Sequence, residues 1–510
     1  MNWWEIAIAA VAAAAGAIPM ALRWWRVAQL EHYLPGSVVR FALRWWRSSP
    51  PNVVLGLGLV GLVPATIALP DAGLWFALAA AGIAAVYPLG LAARAPGSPA
   101  WTERLRRVAV TSVVLALVVG TAVGLLAGAG AGLVVALVLF DLAVDGALAL
   151  LAPLERRRQR VWIDKARARL RQVGPRVVSI TGAYGKTTTK EYVRRVLGAA
   201  APTVASPASF NNAMGLARTI NDQLAPGTEW LVAEMGTYGP GEVTELCSWI
   251  PPDIAAIAAI GPVHLERFGT LEAILRGEAE AAELSDVVVL NVDDPLLAGL
   301  ADEFVGRGKT VIRAGVAAPD LDVAVAPADD GWEVSVRGTP VGTVPEVPFP
   351  TNLAVAVGVG LAAGVPLERL ADAFEGAATP DHRQTVARGP GGFWVVDDTY
   401  NSNPAGAAAA LETLAGLGKG RRVVVTPGMV ELGHEQAAAN EAFGAAAATI
   451  ADDVVIVKRT NRAALRRGAR RGAANVRFAA SRADAVEWVR ATLTGDDAVL
   501  YENDLPDHYP

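Results

Sequence analysis

Apolar runs at about 6–22, 53–70, 73–93, 108–127 and 131–152 fill the start of the chain, each close to the ~20 residues a helix needs to cross a bilayer. They predict about five membrane spans, because helices are what can cross hydrocarbon with every backbone group satisfied and no strand pattern accompanies them. Arginines lie between runs one and two (Arg23, Arg26, Arg40, Arg44, Arg47), between three and four (Arg94, Arg104, Arg106, Arg107), and after five (Arg156, Arg157, Arg158, Arg160). The other two loops carry only Asp71, so the positive-inside rule puts the N-terminus outside and everything after Leu154 in the cytoplasm. Trp3, Trp4 and Glu5 stand where a cleavable leader would have a basic segment, so the first run is expected to be retained.

Ala-Leu-Arg-Trp-Trp-Arg occurs at 21–26 and again at 42–47, a pairing of indoles and guanidiniums expected to anchor at the headgroups. Asp141 and Asp145 fall on one face of the fifth run, where a carboxylate is costly; helix packing and a functional role both stay open.

At 510 residues the chain exceeds one hydrophobic core. Residues 1–160 hold 13 Arg, no Lys and 7 acids, a balance of +6 against −11 for the remainder of a chain with net charge −5. An acidic soluble half has no broad field to gather nucleic acid. The single cysteine, Cys247, excludes an internal disulfide framework and Cys-rich metal sites. The expected organisation is a transmembrane region at 1–154, a basic linker helix at 155–173, and two α/β domains at 174–348 and 349–510. Strands are expected at Arg176–Thr181, Trp230–Met235, Ile254–Ile260 and Val287–Asn291, then at Phe393–Asp397, Arg422–Thr426, Val454–Lys458 and Ala498–Tyr501, with small strands between Thr310 and Pro350.

The first of these strands runs into Thr181-Gly182-Ala183-Tyr184-Gly185-Lys186-Thr187-Thr188-Thr189, followed by a helical stretch. Strand, glycine turn and helix start make an anion cradle in which backbone N–H groups meet phosphate oxygens, Lys186 meets the outer phosphates and Thr187 can hold Mg²⁺. Ile180 stands where the full P-loop pattern has its first glycine.

This shorter T-G-x-x-G-K-T-T form resembles the Mur ligase family. The resemblance continues through Ser209-Phe210-Asn211-Asn212, Glu234-Met235-Gly236, His264-Leu265-Glu266-Arg267-Phe268-Gly269, Asn291-Val292-Asp293-Asp294-Pro295, Asp397–Pro404 and Glu431-Leu432-Gly433, and is nearest the branch that adds D-alanyl-D-alanine to a muramyl tripeptide. It implies a central P-loop domain, a Rossmann-like C-terminal domain, and ATP- and Mg²⁺-dependent amide formation through an acyl phosphate. Carried over by motif, Lys186, His264, Glu278 and Arg383 are the expected catalytic residues. Gly182, Gly185, Lys186, Thr187, Thr188, Asn352, Asp398, Tyr400, Asn401 and Asn403 are expected at the nucleotide, and Thr187, Glu234, His264 and Glu278 at metal. Glu278 holds the position of a lysine that the family carbamoylates, and supplies a carboxylate without modification.

Other departures bear on substrate. Thr351 and Val355 replace members of the family's adenine-side motif, the UDP-sugar domain gives way to the apolar region, and Tyr501–Tyr509 stands where the family has a Lys-Gly-Ser segment. The expected protein is therefore a membrane-anchored ligase of cell-wall precursors. Its expected partners are ATP, a lipid- or UDP-linked carboxylate, an amino acid or dipeptide amine, and the membrane. A poly-γ-glutamate-synthase-like ligase, a P-loop ATPase driving transport and a catalytically weak partner subunit are the alternatives.

Overall fold

The computed structural model describes residues 2–48, 50–89, 99–316, 320–345, 347, 349–374, 385–399, 402–505 and 509. Helices Trp3–Leu30, Pro50–Ala68 and Glu103–Ala127 are each long and apolar enough to cross a membrane. Helices Ala129–Val138 and Phe140–Val173 add a fourth candidate only if they count as one span, since they meet at a 65° bend. Of the expected run at 73–93, Gly73–Val86 forms a helix of 14 residues, short of a crossing by itself, and 90–93 lie outside the described residues. Among the described residues three helices, or four candidates with the bent pair, are thus long and apolar enough to cross, where about five spans were expected. The outer surface of this bundle exposes Val11, Leu57, Val110, Leu117 and Leu126, an apolar exterior that water does not favour.

The tandem hexapeptide does not act as a pair of surface anchors. Trp24 and Trp45 are buried in the bundle core. Trp25 donates to Ser112 Oγ at 3.0 Å. Arg23 is buried too, and its guanidinium donates to the carbonyls of Ala84, Ala85 and Tyr87 at 2.7–3.0 Å, closing the end of helix Gly73–Val86. An indole suits an interface or a core equally, and only the neighbouring helices decide between them. Asp145 resolves in favour of packing: its carboxylate accepts the N–H groups of Gly36, Val38 and Val39 at 2.9–3.3 Å and so caps helix Ser37–Ser48.

The basic linker is the far end of helix Phe140–Val173, not a separate element. Ala166 and Leu170 on that end join the core of the first α/β body, so one continuous helix leads from the bundle into it. Gly174, in the left-handed conformation, ends the helix two residues before β1 (Arg176–Thr181).

That body is built on a nine-stranded sheet in the order β2-β3-β1-β4-β5-β6-β7-β8-β9. The strands are β2 Thr203–Ala205, β3 Trp230–Glu234, β4 Ile254–Ile257, β5 Val287–Asn291, β6 Thr310–Gly315, β7 Val323–Ala328, β8 Gly331–Val336 and β9 Thr339–Val344. β1 to β7 pair in parallel, while β7, β8 and β9 form an antiparallel meander. Helix Pro350–Ala363, expected to open the C-terminal domain, packs into the core of this first sheet, with Leu353, Val355, Val357 and Val359 among its buried residues. The break between the bodies therefore lies after Phe374, the last residue of that core, rather than at 348.

The second body has a six-stranded sheet in the order β10-β11-β15-β12-β13-β14. Its strands are β10 Thr385–Arg388, β11 Trp394–Asp398, β12 Arg422–Thr426, β13 Asp453–Val457, β14 Asn475–Ala479 and β15 Ala498–Glu502, all parallel except β10. With β1 central in one sheet and β15 in the other, their carboxyl ends are where a ligand crevice is expected in open α/β sheets.

Asp145→Ala is expected to lower the stability of the full chain in detergent by about 1–3 kcal/mol, since three backbone donors lose their acceptor. Asp145→Asn should fall between the two. Denaturant unfolding checks this, and an unchanged midpoint for the alanine variant would contradict the capping role.

Candidate active site

β1 ends at Thr181 and the chain turns through Gly182 (φ +128°) and Gly185 (φ +76°) into helix Lys186–Gly198. A side chain at Gly185 would place its Cβ 2.6 Å from Asn352 Oδ1, so the turn needs glycine for space as well as for conformation. Asn352, expected on the nucleotide side, is thus brought against the P-loop by helix Pro350–Ala363. Glu278, buried in helix Leu271–Glu283, reaches the same turn. Its Oε2 accepts Gly182 N–H at 2.7 Å, its carbonyl accepts Thr181 Oγ1 at 2.7 Å, and its Oε1 lies 3.9 Å from Lys186 Nζ. Lys186 Nζ also donates to the Gly182 carbonyl. The lysine is folded over its own loop, beside a carboxylate, at a helix N-terminus that favours anions.

Glu234 ends β3 beside β1 and is 1% exposed. Its Oε1 accepts from Thr187 Oγ1 at 3.3 Å and Asn211 Nδ2 at 3.2 Å. Lys190 Nζ stands 3.0 Å from Oε2, out of line for a hydrogen bond, and donates instead to the Ala208 carbonyl. A hydroxyl and a carboxylate oxygen meeting beside a P-loop form a hard donor set that fits Mg²⁺, which takes one or two carboxylates and completes its shell with phosphate and water. Thr188 is buried behind the loop.

His264 and Glu278, expected together at a second ion, are engaged by separate partners. His264 sits in the left-handed region (φ 56°) and its Nδ1 lies 2.5 Å from Glu431 Oε2, across the gap between the two bodies. Its ring packs edge-on against Tyr238 at 4.7 Å. Burial works to raise the Glu431 carboxyl, yet the bond to His264 and the nearby charges of Arg267 and Arg44 prevail and hold it below its ordinary value. Among the described residues no three His, Cys, Asp or Glu side chains gather as a metal site.

In the second body Asp398 is buried at the end of β11, with its carbonyl accepting from Asn503 N–H. Asn403 serves its own helix, since its Oδ1 caps Pro404–Gly416 by accepting Gly406 N–H at 2.8 Å. Arg383, Tyr400 and Asn401 lie outside the described residues. At the end of β15, Glu502 is fully buried and accepts hydrogen bonds from Ser402 and Thr426. Burial pushes its carboxyl up to about 7, against those two hydrogen bonds.

Sequence reasoning did not assign roles to Lys190, Tyr184 or Glu502. Lys190 follows Lys186 by one helical turn, which was the available signal. Tyr184 fills the second variable position of the P-loop and lies against Gly261, where a Cβ would stand 2.1 Å from its ring. The motif Asn291–Pro295 is structural: Asn291 Nδ2 donates to the Ala258 carbonyl at 3.0 Å and Asp294 accepts Ile260 N–H at 2.8 Å, fixing the loop that carries Gly261 and His264.

Residues 180–343 match the Mur ligase middle domain and residues 382–501 the Mur ligase glutamate ligase domain. The chain belongs to the Mur ligase family. It is 34% identical over 268 residues to the UDP-N-acetylmuramoyl-tripeptide–D-alanyl-D-alanine ligase of Mycobacterium leprae, covering 48% of this chain and 52% of that protein. The Bacillus subtilis ligase of the same name is 28% identical, with 55% of this chain and 62% of the other covered. The chain thus spans between half and two thirds of the length of these curated relatives. Among solved structures, the MurF ligase of Thermotoga maritima in complex with ADP is 25% identical with a TM-score of 0.58, over 68% of this chain and 80% of that one. MurF from Acinetobacter baumannii shares the fold at a TM-score of 0.58, over 68% and 77% of the two chains and at 22% identity.

The raised Glu502 carboxyl sets a pH dependence. A carboxyl whose folded pKa lies above its ordinary 4.5 favours the folded state at low pH and loses that advantage as pH climbs to about 7. Relative to Glu502→Gln, the protein is expected to lose stability between pH 4.5 and 7, with a constant difference above. Denaturant midpoints of both proteins across that range check it; parallel curves would contradict the assignment.

Proposed function

We propose that this chain is an ATP- and Mg²⁺-dependent ligase that joins a carboxylate to an amine in cell-wall peptide synthesis, with its catalytic bodies held on the cytoplasmic side of a membrane. The observation that carries the reading is the convergence of Lys186, Thr187, Glu234 and Glu278 on one glycine turn at a helix N-terminus. Such a cradle gathers several negative charges, which transfer of phosphate to a carboxylate requires. Family membership supports the class of reaction, and the names of the relatives supply the first substrates to try: a UDP-N-acetylmuramoyl tripeptide and D-alanyl-D-alanine.

In this reading the backbone N–H groups at 184–187 and the Lys186 ammonium bind the phosphates and neutralise charge as the bond to the γ-phosphorus changes hands. Thr187 and Glu234 would hold Mg²⁺, which supplies further charge neutralisation when bound. Glu278 orients Lys186 and fixes the Gly182 N–H. A carboxylate oxygen attacks the γ-phosphorus and ADP leaves; the amine nitrogen then attacks the acyl carbon, and phosphate departs with that oxygen. His264, fixed by Glu431 between the two bodies, is placed to order the site when they close.

The membrane placement rests on the apolar exterior of the bundle and the arginines at one end of its helices. A reporter at Asp71 that faces the nucleotide side would contradict it.

Lys186→Ala is expected to cut substrate-dependent ADP release about a hundredfold or more, by loss of a charge aimed at the transferring phosphate. The measurement is ADP formed by the full chain in detergent with the tripeptide and dipeptide above. Near-normal release by the variant would remove Lys186 from the reaction.

A further inference from the structure

The second body carries a basic stretch of its own. Residues 458–482 hold eight Arg and one Lys with no Asp or Glu, inside a soluble half whose balance is acidic. The stretch covers the loop after β13, helix Arg462–Ala469 and the edge strand β14, so its charges gather at one edge of the sheet.

Part of this charge has a local use. Arg467 and Arg471 both reach Glu441, Arg477 reaches Asp453 at 3.2 Å, and Arg482 reaches Asp504 at 2.7 Å. The side chains of Arg459, Arg466 and Arg470 are exposed and form no hydrogen bond or ion pair among the described residues. Burial and then the charge of Arg459 hold the half-buried Arg462 guanidinium below its ordinary value, so neighbouring cations repel here. Edge strands do use charge to discourage pairing with other chains, but that charge belongs in the strand, where Arg477 supplies it. Arg459, Arg466 and Arg470 lie outside the strand.

An apolar ring stands among these cations. Phe478 is 47% exposed near the end of β14, with the guanidiniums of Arg462 and Arg466 at 4.9 and 5.9 Å from its centroid. A ring flanked by cations matches the boundary between headgroups and hydrocarbon, where phosphates meet the charge and acyl chains take the ring. The patch is also tied to the bundle. Arg462 Nε donates to the Lys458 carbonyl at 3.1 Å, Lys458 Nζ donates to the Leu505 carbonyl, and Leu505 packs in the bundle core. This short chain of contacts keeps the patch beside the end of the bundle that meets the α/β bodies.

We infer that the edge of the second body formed by Arg459, Arg466, Arg470 and Phe478 docks on anionic phospholipid headgroups of the membrane that the bundle crosses. The inference goes beyond the ligase reading and rests only on the membrane placement. Leu505 and Tyr509 fasten the second body to the bundle, and the lipid contact holds the sheet edge beyond them. The charge is local, which is why the acidic balance of the soluble half conceals it.

The test uses the full chain in lipid nanodiscs, with a fluorophore on Ala463→Cys, an exposed position between Arg459 and Arg466; the native Cys247 is buried. Discs of phosphatidylcholine alone are compared with discs of phosphatidylcholine and phosphatidylglycerol in equal parts, both carrying a lipid with a nitroxide headgroup as quencher. Quenching is expected to be several-fold stronger in the anionic discs and to fall to the neutral value in high salt, because exposed charges are screened. Replacing Arg459, Arg466 and Arg470 together by Ala should weaken the docked state about a hundredfold and bring quenching to the neutral level. Lysine at all three positions should keep it, since the headgroup field reads charge and not guanidinium geometry, and Phe478→Ser should lower it in part. Equal quenching in both kinds of disc would overturn the inference and leave the membrane placement intact. So would an excess that survives high salt or the triple alanine replacement, or one that the lysine variant also loses. A chain that stays in solution without lipid or detergent would overturn the membrane placement and the inference with it.

Discussion

The buried carboxylate of Glu234 is the constraint around which the first body is arranged. A negative charge at 1% exposure is tolerable only with partners, and these come from three places: Thr187 on the P-loop, Lys190 one turn along the same helix, and Asn211 after β2. Each partner ties an element to the end of β3. The pairing of β1 with β3 brings the P-loop alongside, and Glu278 closes the turn from the other side by taking the Gly182 N–H. Between them, the two carboxylates fix the position of two lysines and of the backbone donors before any nucleotide is bound. That is the preorganisation that phosphoryl transfer demands, since a polar site that need not rearrange stabilises developing charge most effectively.

The bundle is joined to both α/β bodies, not merely tethered. Arg44 reaches Glu266 of the first body, and Leu505 and Tyr509 from the end of the second pack into the bundle core, with the Tyr509 ring edge-on to Phe41 at 5.1 Å. The C-terminal segment that departs from the family pattern therefore has a packing role in this chain. His264 and Glu431 bond the two bodies to each other near the same point.

How much of this was legible in the sequence depends on what kind of information each feature needs. The P-loop was legible because glycine spacing, lysine and a flanking strand are all local. Glu234 and Glu278 were found by motif and by register, and both reach the loop, although the pairing of Glu278 with His264 at one ion was expected and each has a different partner. The strands that escaped notice, β2, β10 and β14, are all at sheet edges, where one side lacks a neighbour and the apolar signal thins; Arg477 and the exposed Phe478 in β14 are examples. Helix Pro350–Ala363, expected in the second body, packs on the first, because apolarity shows that a helix is buried but not which sheet covers it. The same ambiguity hid the core role of the Trp pairs, and the bend between Val138 and Phe140 has no proline to announce it.

The most direct measurement of the central claim follows an oxygen atom. With the tripeptide carboxylate labelled with ¹⁸O and the full chain turning over ATP and amine, an acyl-phosphate route carries one labelled oxygen from carboxylate to phosphate for each amide bond formed. The account predicts singly labelled inorganic phosphate in step with product. Unlabelled phosphate released at the rate of ATP consumption would mean that water is the acceptor, and would contradict the assignment of this site as a ligase.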